Sequence, residues 1–216
     1  MEKSLSTRFV SCYNRIDEIL HDVSGLEPVM SFTACVRAAS EHNATVKRFA
    51  DDLTAYARLR NAIVHSSVED KIIAEPHLDV VEHFESILTL LTHPPLVTDV
   101  IGERRVVCVQ ADDRLARVVE LVYDHNFSNI PVLSGGKLVG LITPKDVVRA
   151  MGEWRESGGE LGRLLASRRI ADVKRTATYR IAPSSLTVAQ AIEYFAQPKL
   201  RAVVLTGDGT ATGRIT

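Results

Sequence analysis

Apolar residues recur at spacings of three and four along residues 7–22, and again along 75–92, where Val80, Phe84, Ile87, Leu88 and Leu91 share a face. That period predicts amphipathic helices. Residues 31–66 carry the same period, as one long helix or as two broken near Ser40 to Asn43, with Asn43 as N-cap of the second piece. His93-Pro94-Pro95 closes the helical region, because proline has no N–H to continue a helix and disfavours helical geometry before it. Beyond it the runs become short and β-rich: Val106-Val107-Cys108-Val109, Ile130-Pro131-Val132-Leu133 and Leu138-Val139-Gly140-Leu141-Ile142. Helical stretches at 113–125 and 144–151 separate them, in the order strand, helix, strand, strand, helix. The predicted class is α+β, with a helical bundle over 1–95 and a mixed region over 96–216. A bundle of that size buries a modest core, and a second copy of the chain is the expected partner that completes it.

The mixed region repeats itself. Leu115 is echoed by Leu186, Ile130-Pro131-Val132-Leu133 by Ala202-Val203-Val204-Leu205, and Gly140-Leu141-Ile142-Thr143 by Gly213-Arg214-Ile215-Thr216. The first copy spans about 97–152 and the second about 165–216, the second truncated before its last helix. Two half-sheet units of this kind should pack face to face about a pseudo-two-fold axis. Glu153 to Ser167, charged and with two adjacent glycines, reads as a flexible connection leading into Ile170-Ala171-Asp172-Val173.

Composition is that of an ordinary globular chain: 216 residues, 45% hydrophobic, formal net charge −1. No apolar run approaches the roughly 18 residues that span a bilayer, and the N-terminus lacks a signal-peptide pattern, so no membrane association and a cytoplasmic location are expected. Cys12, Cys35 and Cys108 are odd in number and far apart, which fits neither a disulfide framework nor a paired metal site. Residues 1–95 hold 9 Lys and Arg against 14 Asp and Glu, a net of −5, which leaves +4 for 96–216. Neither part is broadly basic, which argues against strong nonspecific duplex binding.

The repeat resembles a CBS-domain pair, or Bateman module. The residues that carry the resemblance are Phe127-Ser128-Asn129-Ile130-Pro131-Val132, the turn Gly135-Gly136, and Gly140-Leu141-Ile142-Thr143-Pro144-Lys145-Asp146-Val147. The resemblance implies a regulatory module that holds an adenosyl ligand such as AMP or ATP between its repeats. It places Thr143 and Asp146 on the ribose hydroxyls, Ile130 and Pro131 along the base, and Lys145 toward a phosphate. The second copy lacks the Ile-Pro pair and the position of the aspartate, so its cleft is expected to be deficient. Thr143-Pro144-Lys145-Asp146 is also a good helix start, with Thr as N-cap, Pro at the first position and an acid at the third. Capping accounts for the same residues without a ligand.

One helix of the N-terminal region raises a separate question. On a helical wheel through residues 53–65, Arg60 falls inside the apolar arc of Tyr56, Ala57, Leu59, Ile63 and Val64, while Asn61 and His65 share its flank. An unpaired guanidinium in a core costs several kcal/mol, on the order expected for an uncompensated buried charge. Arg60 must therefore meet an acid, a subunit cleft or a ligand. Glu41, Asp79 and Glu82 are candidate acids, and His65 could serve as a cation at the helix C-terminus. Arg60-Asn61 followed by His65 also resembles the R-N/D/H-x(4-6)-H signature of HEPN domains, over residues 5–92. That resemblance implies a dimer with a composite cleft and metal-independent attack of an RNA 2′-hydroxyl on the adjacent phosphate. His65 would transfer the proton, Arg60 would stabilise the developing charge and Asn61 would orient the histidine or bind the phosphate. Many HEPN-like bundles act only in dimerisation or binding. Two functions therefore stand: an adenine-nucleotide-sensing regulator in which the repeat controls a dimeric helical domain, or a nucleotide-regulated endoribonuclease. Single-stranded RNA or a partner protein is the expected target, and no metal is expected.

Overall fold

The computed structural model describes residues 4–65, 67–68, 71–72, 74–102, 105–156 and 159–216. The chain divides into two compact units, the first Met1–Pro95 with Val188–Gln190, the second Leu96–Thr187 with Ala191–Thr216.

The first unit is helical: α1 (Leu5–Ser24), α2 (Phe32–Ala39), α3 (Ala44–Arg48), α4 (Ala50–His65) and α5 (Leu78–Thr92), with a two-residue ladder of β1 (Ser67–Val68) and β2 (Lys71–Ile72) after α4. The stretch read as one long helix or two is three segments. Asn43 caps α3 as its residue type predicts, its side chain accepting from the N–H groups of Thr45 and Val46. Ser4 caps α1 in the same manner, and Gly25 ends it at φ +64, a conformation that costs glycine little. Phe9, Ile16 and Leu20 of α1, Cys35 and Ala39 of α2, Leu53 of α4, and Val81, Phe84 and Ile87 of α5 are fully buried in one core. Burying such a side chain contributes roughly 1.5–3 kcal/mol. A bidentate pair between Arg8 and Glu85, at 3.0 and 2.7 Å, ties α1 to α5 and holds the Glu85 carboxyl below its usual range.

The second unit carries α6 (Val97–Ile101), β3 (Val109–Gln110), α7 (Leu115–His125), β4 (Ile130–Ser134), β5 (Lys137–Ile142), α8 (Pro144–Glu156) and α9 (Leu161–Ser167). A 3-10 turn (Ile170–Asp172) then leads to β6 (Thr178–Pro183), α10 (Val188–Phe195, of which Ala191–Phe195 fall in this unit) and β7 (Leu200–Thr206). β3 pairs parallel with β4, β4 antiparallel with β5, and β6 parallel with β7. Of the run Val106–Val109, only Val109 enters a strand.

One face of the three-stranded sheet presents Ile130, Val132 and Ile142 to α7, α8 and α9. The other face presents Leu133, Leu138 and Leu141 to Val204 and Ile181 of the β6–β7 ladder. A bulge makes that second face possible. Val132 is opposite Gly140 while Leu133 is opposite Leu138, so Val139 is skipped and Leu138 changes sides. A Cβ at Gly140 would lie 2.9 Å from Arg175 Nε, so the Arg175 side chain would have to shift to admit one.

One expectation is corrected. The described residues of Glu153 to Ser167 are not a loose connection: α8 runs to Glu156 and α9 occupies Leu161–Ser167, with Leu164 fully buried among Leu115, Val118 and Ile170. Trp154 Nε1 donates to the Glu160 carbonyl at 3.0 Å, and Gly159 is held so close to the indole that a Cβ would collide with it. At the end of the chain Thr206 pairs with Ile215 in an isolated antiparallel bridge, across a longer turn than Gly135-Gly136.

Candidate functional site

Helix α8 begins with a reciprocal cap. Thr143 Oγ1 donates to Asp146 Oδ2 at 2.7 Å, the Thr143 N–H donates to the same oxygen at 3.0 Å, and the Asp146 N–H returns to Thr143 Oγ1 at 3.3 Å. Pro144 at the first helical position lacks only an N–H that would be orphaned anyway. Asp146 is 1% exposed, so this cap sits beneath the surface. Its other oxygen, Oδ1, accepts from Thr176 N at 3.1 Å and Thr176 Oγ1 at 2.7 Å.

Above this floor lies a polar cleft of about 700 Å³. It is lined by Ser128 and Asn129 ahead of β4, by Thr143, Lys145 and Arg149 at the cap and first turns of α8, by Thr176 ahead of β6 and Thr178 at its start, and by Lys199 and Arg201 around the start of β7. Lys145, Arg149, Lys199 and Arg201 bring four cations to the wall, and among the described residues no acid lines it. Such a site favours an anion, since each cation gains a charge-assisted hydrogen bond only to a negative oxygen.

Two backbone irregularities set the cations in place. Thr178 is opposite Leu200 and Tyr179 opposite Ala202, so Arg201 is a bulged residue outside the ladder alternation. Lys199 adopts φ +79, which side-chain-bearing residues rarely hold, and its carbonyl accepts from Thr178 Oγ1.

A second cavity of about 450 Å³ lies in the same unit and is apolar, lined by Val97, Phe127, Pro131, Leu141, Val203 and Phe195 among others. Arg105 and Asn129 are the long polar side chains at its wall.

The sequence-predicted residues distribute unevenly over this geometry. Thr143 and Lys145 line the polar cleft. Asp146 lies below it with both oxygens engaged. Pro131 lines the apolar cavity instead, and the Ile130 side chain, 1% exposed, belongs to the helix-side core. Arg149, Thr176, Lys199 and Arg201 were not anticipated. The repeat offset of 72 that sets Ala202 against Ile130 also sets Arg201 against Asn129, and both line the cleft. That register was the available signal for Arg201.

In the helical unit, Arg60 is half-buried on α4 with its guanidinium carbon 5.3 Å from the centroid of the Tyr13 ring of α1, and its Nη1 donates to Asn61 Oδ1 at 3.4 Å. The ring face supplies the negative potential that its place in an apolar arc requires. Asn61 is exposed. His65 is the last residue of α4, and its side chain lies outside the described residues. Among the described residues no His, Cys, Asp and Glu group is placed to hold a metal ion, and no helix is long and apolar enough to cross a membrane.

Residues 97–153 match the model of the CBS domain family. No curated protein matches the chain. Solved structures similar to it include the CBS domain of a bacterial CNNM/CorC family Mg2+ transporter in complex with ATP, at 17% identity and TM-score 0.44 over 62% of this chain and 88% of that one. The CBS domain pair of protein MJ0100, in complex with 5′-methylthioadenosine and S-adenosyl-L-methionine, is 19% identical at TM-score 0.41 over 56% and 87%. The CBS-domain protein ATU1752 from Agrobacterium tumefaciens is 18% identical at TM-score 0.41 over 56% and 90%. The segment that is similar to the CBS domain family runs from α6 through the sheet β3–β4–β5 into α8, and includes the capped Thr143-to-Asp146 start.

Proposed function

We propose that the second unit is an adenine-nucleotide sensor, and that its output is read by the helical unit. The observation that carries this reading is the polar cleft with Lys145, Arg149, Lys199 and Arg201 on its wall and no acid lining it among the described residues. Four cations suit a di- or triphosphate better than a neutral thioether or a cationic sulfonium, so ATP or ADP is the favoured ligand and AMP a weaker one. Thr143, Asn129 and Ser128 supply neutral donors and acceptors for the ribose and base edges. On this reading residues 165–216 belong to a second CBS copy, which contributes Lys199 and Arg201 to a cleft whose floor belongs to the first.

The helical unit, residues 1–95, is then a dimerisation or partner-binding element. The packing of Arg60 over Tyr13 supports a structural role for the arginine ahead of an RNA-cleaving one. Calorimetric titration of the full chain with ATP, ADP and AMP tests the sensor. Binding in that order of affinity, weakened by Arg201→Ala, supports it; no heat with any of the three overturns it. Incubation of a short single-stranded RNA with the chain, with and without ATP and in EDTA, tests the output. An intact RNA supports the binding role, and cleavage abolished by His65→Ala would restore the ribonuclease reading.

A further inference from the structure

The carboxylate of Asp146 is saturated. A carboxylate offers about four acceptor sites, two on each oxygen. Here Oδ2 takes the N–H and hydroxyl of Thr143, and Oδ1 takes the N–H and hydroxyl of Thr176. A ligand in the cleft can reach this carboxylate only by displacing a donor already on it.

The two donor pairs are not equally replaceable. Thr143 is three residues from Asp146, and its bonds form the first turn of α8, so losing them would unravel the helix start. Thr176 reaches Asp146 across 30 residues and lines the cleft itself. Two vicinal hydroxyls can replace its N–H and O–H donor for donor. We propose that Asp146 is a hand-over point: the ribose hydroxyls of a bound nucleotide take Oδ1 from Thr176 and release the segment that enters β6. This rests on the reading of the cleft as a nucleotide site.

Release at Thr176 has a defined mechanical consequence. Its neighbours are anchored on either side: Arg175 Nη1 donates to the Ile170 carbonyl at 3.0 Å, and Thr178 Oγ1 donates to the Lys199 carbonyl. Thr178 begins β6, which pairs with β7 and so with the bulge that holds Arg201 in the cleft wall. The Asp146–Thr176 bonds therefore join the ligand floor to the connection between the two halves of the unit. Ligand present and Thr176 bound to Asp146 are competing states, and the competition converts occupancy into a change of backbone order.

ATP and 2′,3′-dideoxy-ATP distinguish the outcomes on the full chain. Thr176→Val keeps the side-chain shape and removes the competing hydroxyl, so it should tighten ATP about 3- to 10-fold. The gain should vanish with 2′,3′-dideoxy-ATP, which has no hydroxyls to offer Asp146. Amide exchange at 176 and its neighbours in the unsubstituted chain should speed up when ATP binds, and should not do so with the dideoxy nucleotide. A Thr176→Val chain that binds ATP equally or more weakly, a gain that persists with 2′,3′-dideoxy-ATP, or unchanged exchange at 176 under saturating ATP overturns the hand-over while leaving the nucleotide site standing. Absence of ATP binding to the unsubstituted chain overturns both.

Discussion

Thr176 donates its backbone N–H and its hydroxyl to one oxygen of Asp146, at 3.1 and 2.7 Å, across 30 residues of chain. The same carboxylate caps α8, so one buried side chain fixes both a helix start and the approach to β6. Asp146→Ala should lower unfolding stability by about 2–4 kcal/mol, combining a lost cap with donors left unsatisfied. Asp146→Asn, which keeps one acceptor oxygen, should cost less. Urea midpoints of the two variants check the order; equal midpoints for Ala, Asn and the unsubstituted chain would remove the carboxylate from the fold.

Lys199 separates stability from binding. Its φ of +79 costs glycine little and costs a residue with a Cβ about 1–2 kcal/mol. Lys199→Gly should leave the chain as stable as before or more stable, by up to about 1 kcal/mol, while weakening ATP. Lys199→Ala, which keeps the Cβ and so the strain, should weaken ATP equally and leave stability nearly unchanged. Thermal melts paired with ATP titrations decide it, and a loss of stability in the glycine variant would contradict the strain.

The cleft cations should act through charge. Arg201→Ala should weaken ATP by about 10-fold or more, the range for a hydrogen bond to a charged group, and should flatten the dependence of affinity on salt. Titrations at low and high ionic strength measure both effects.

Helix α9 should be structural. Leu164 is fully buried, whereas Leu161 on the same helix is 47% exposed. Leu164→Ala should cost about 2–4 kcal/mol, and Leu161→Ala less than about 0.5 kcal/mol. Similar small losses at both positions would return this segment to a loose connection.

Alkaline pH should destabilise the helical unit. Burial, then the nearby Asp17, pushes the Tyr13 phenol up to about 12, and burial, then Glu85, pushes the Cys12 thiol up to about 12. Both folded values lie above the unfolded ones, so the folded chain holds protons that the unfolded chain releases. The stabilisation is intact below pH of about 9 and is lost as pH rises through about 12, with a ceiling of roughly 3 kcal/mol for Tyr13. Melting temperatures from pH 8 to 12 should fall, and the slope should be shallower in Tyr13→Phe.

The spacing of Phe9, Ile16 and Leu20 was enough to write α1, because a helical face of that period has one low-energy way to bury itself. Asn43 announced the start of α3, and Thr143-Pro144-Lys145-Asp146 announced α8, since capping depends on residues within three positions of one another. The alternation in β4 and β5 was readable up to the point where Val139 is skipped, and not through it. Helix α9 was illegible: seven residues with a glycine and flanking charges carry no local signal strong enough to fold them.

The sequence by itself determined the helical and mixed regions and the helix start that carries Thr143, Lys145 and Asp146. All of these follow from residue type and spacing over a few positions. Tertiary structure alone decided that Asp146 faces Thr176 instead of open cleft, that Ile130 turns into the helix-side core, and that Lys199 and Arg201 join Lys145 and Arg149. The physical reason is that bulges at Val139 and Arg201, a left-handed lysine and the insertion of Leu164 are local conformations that become favourable only once distant surfaces have packed against them.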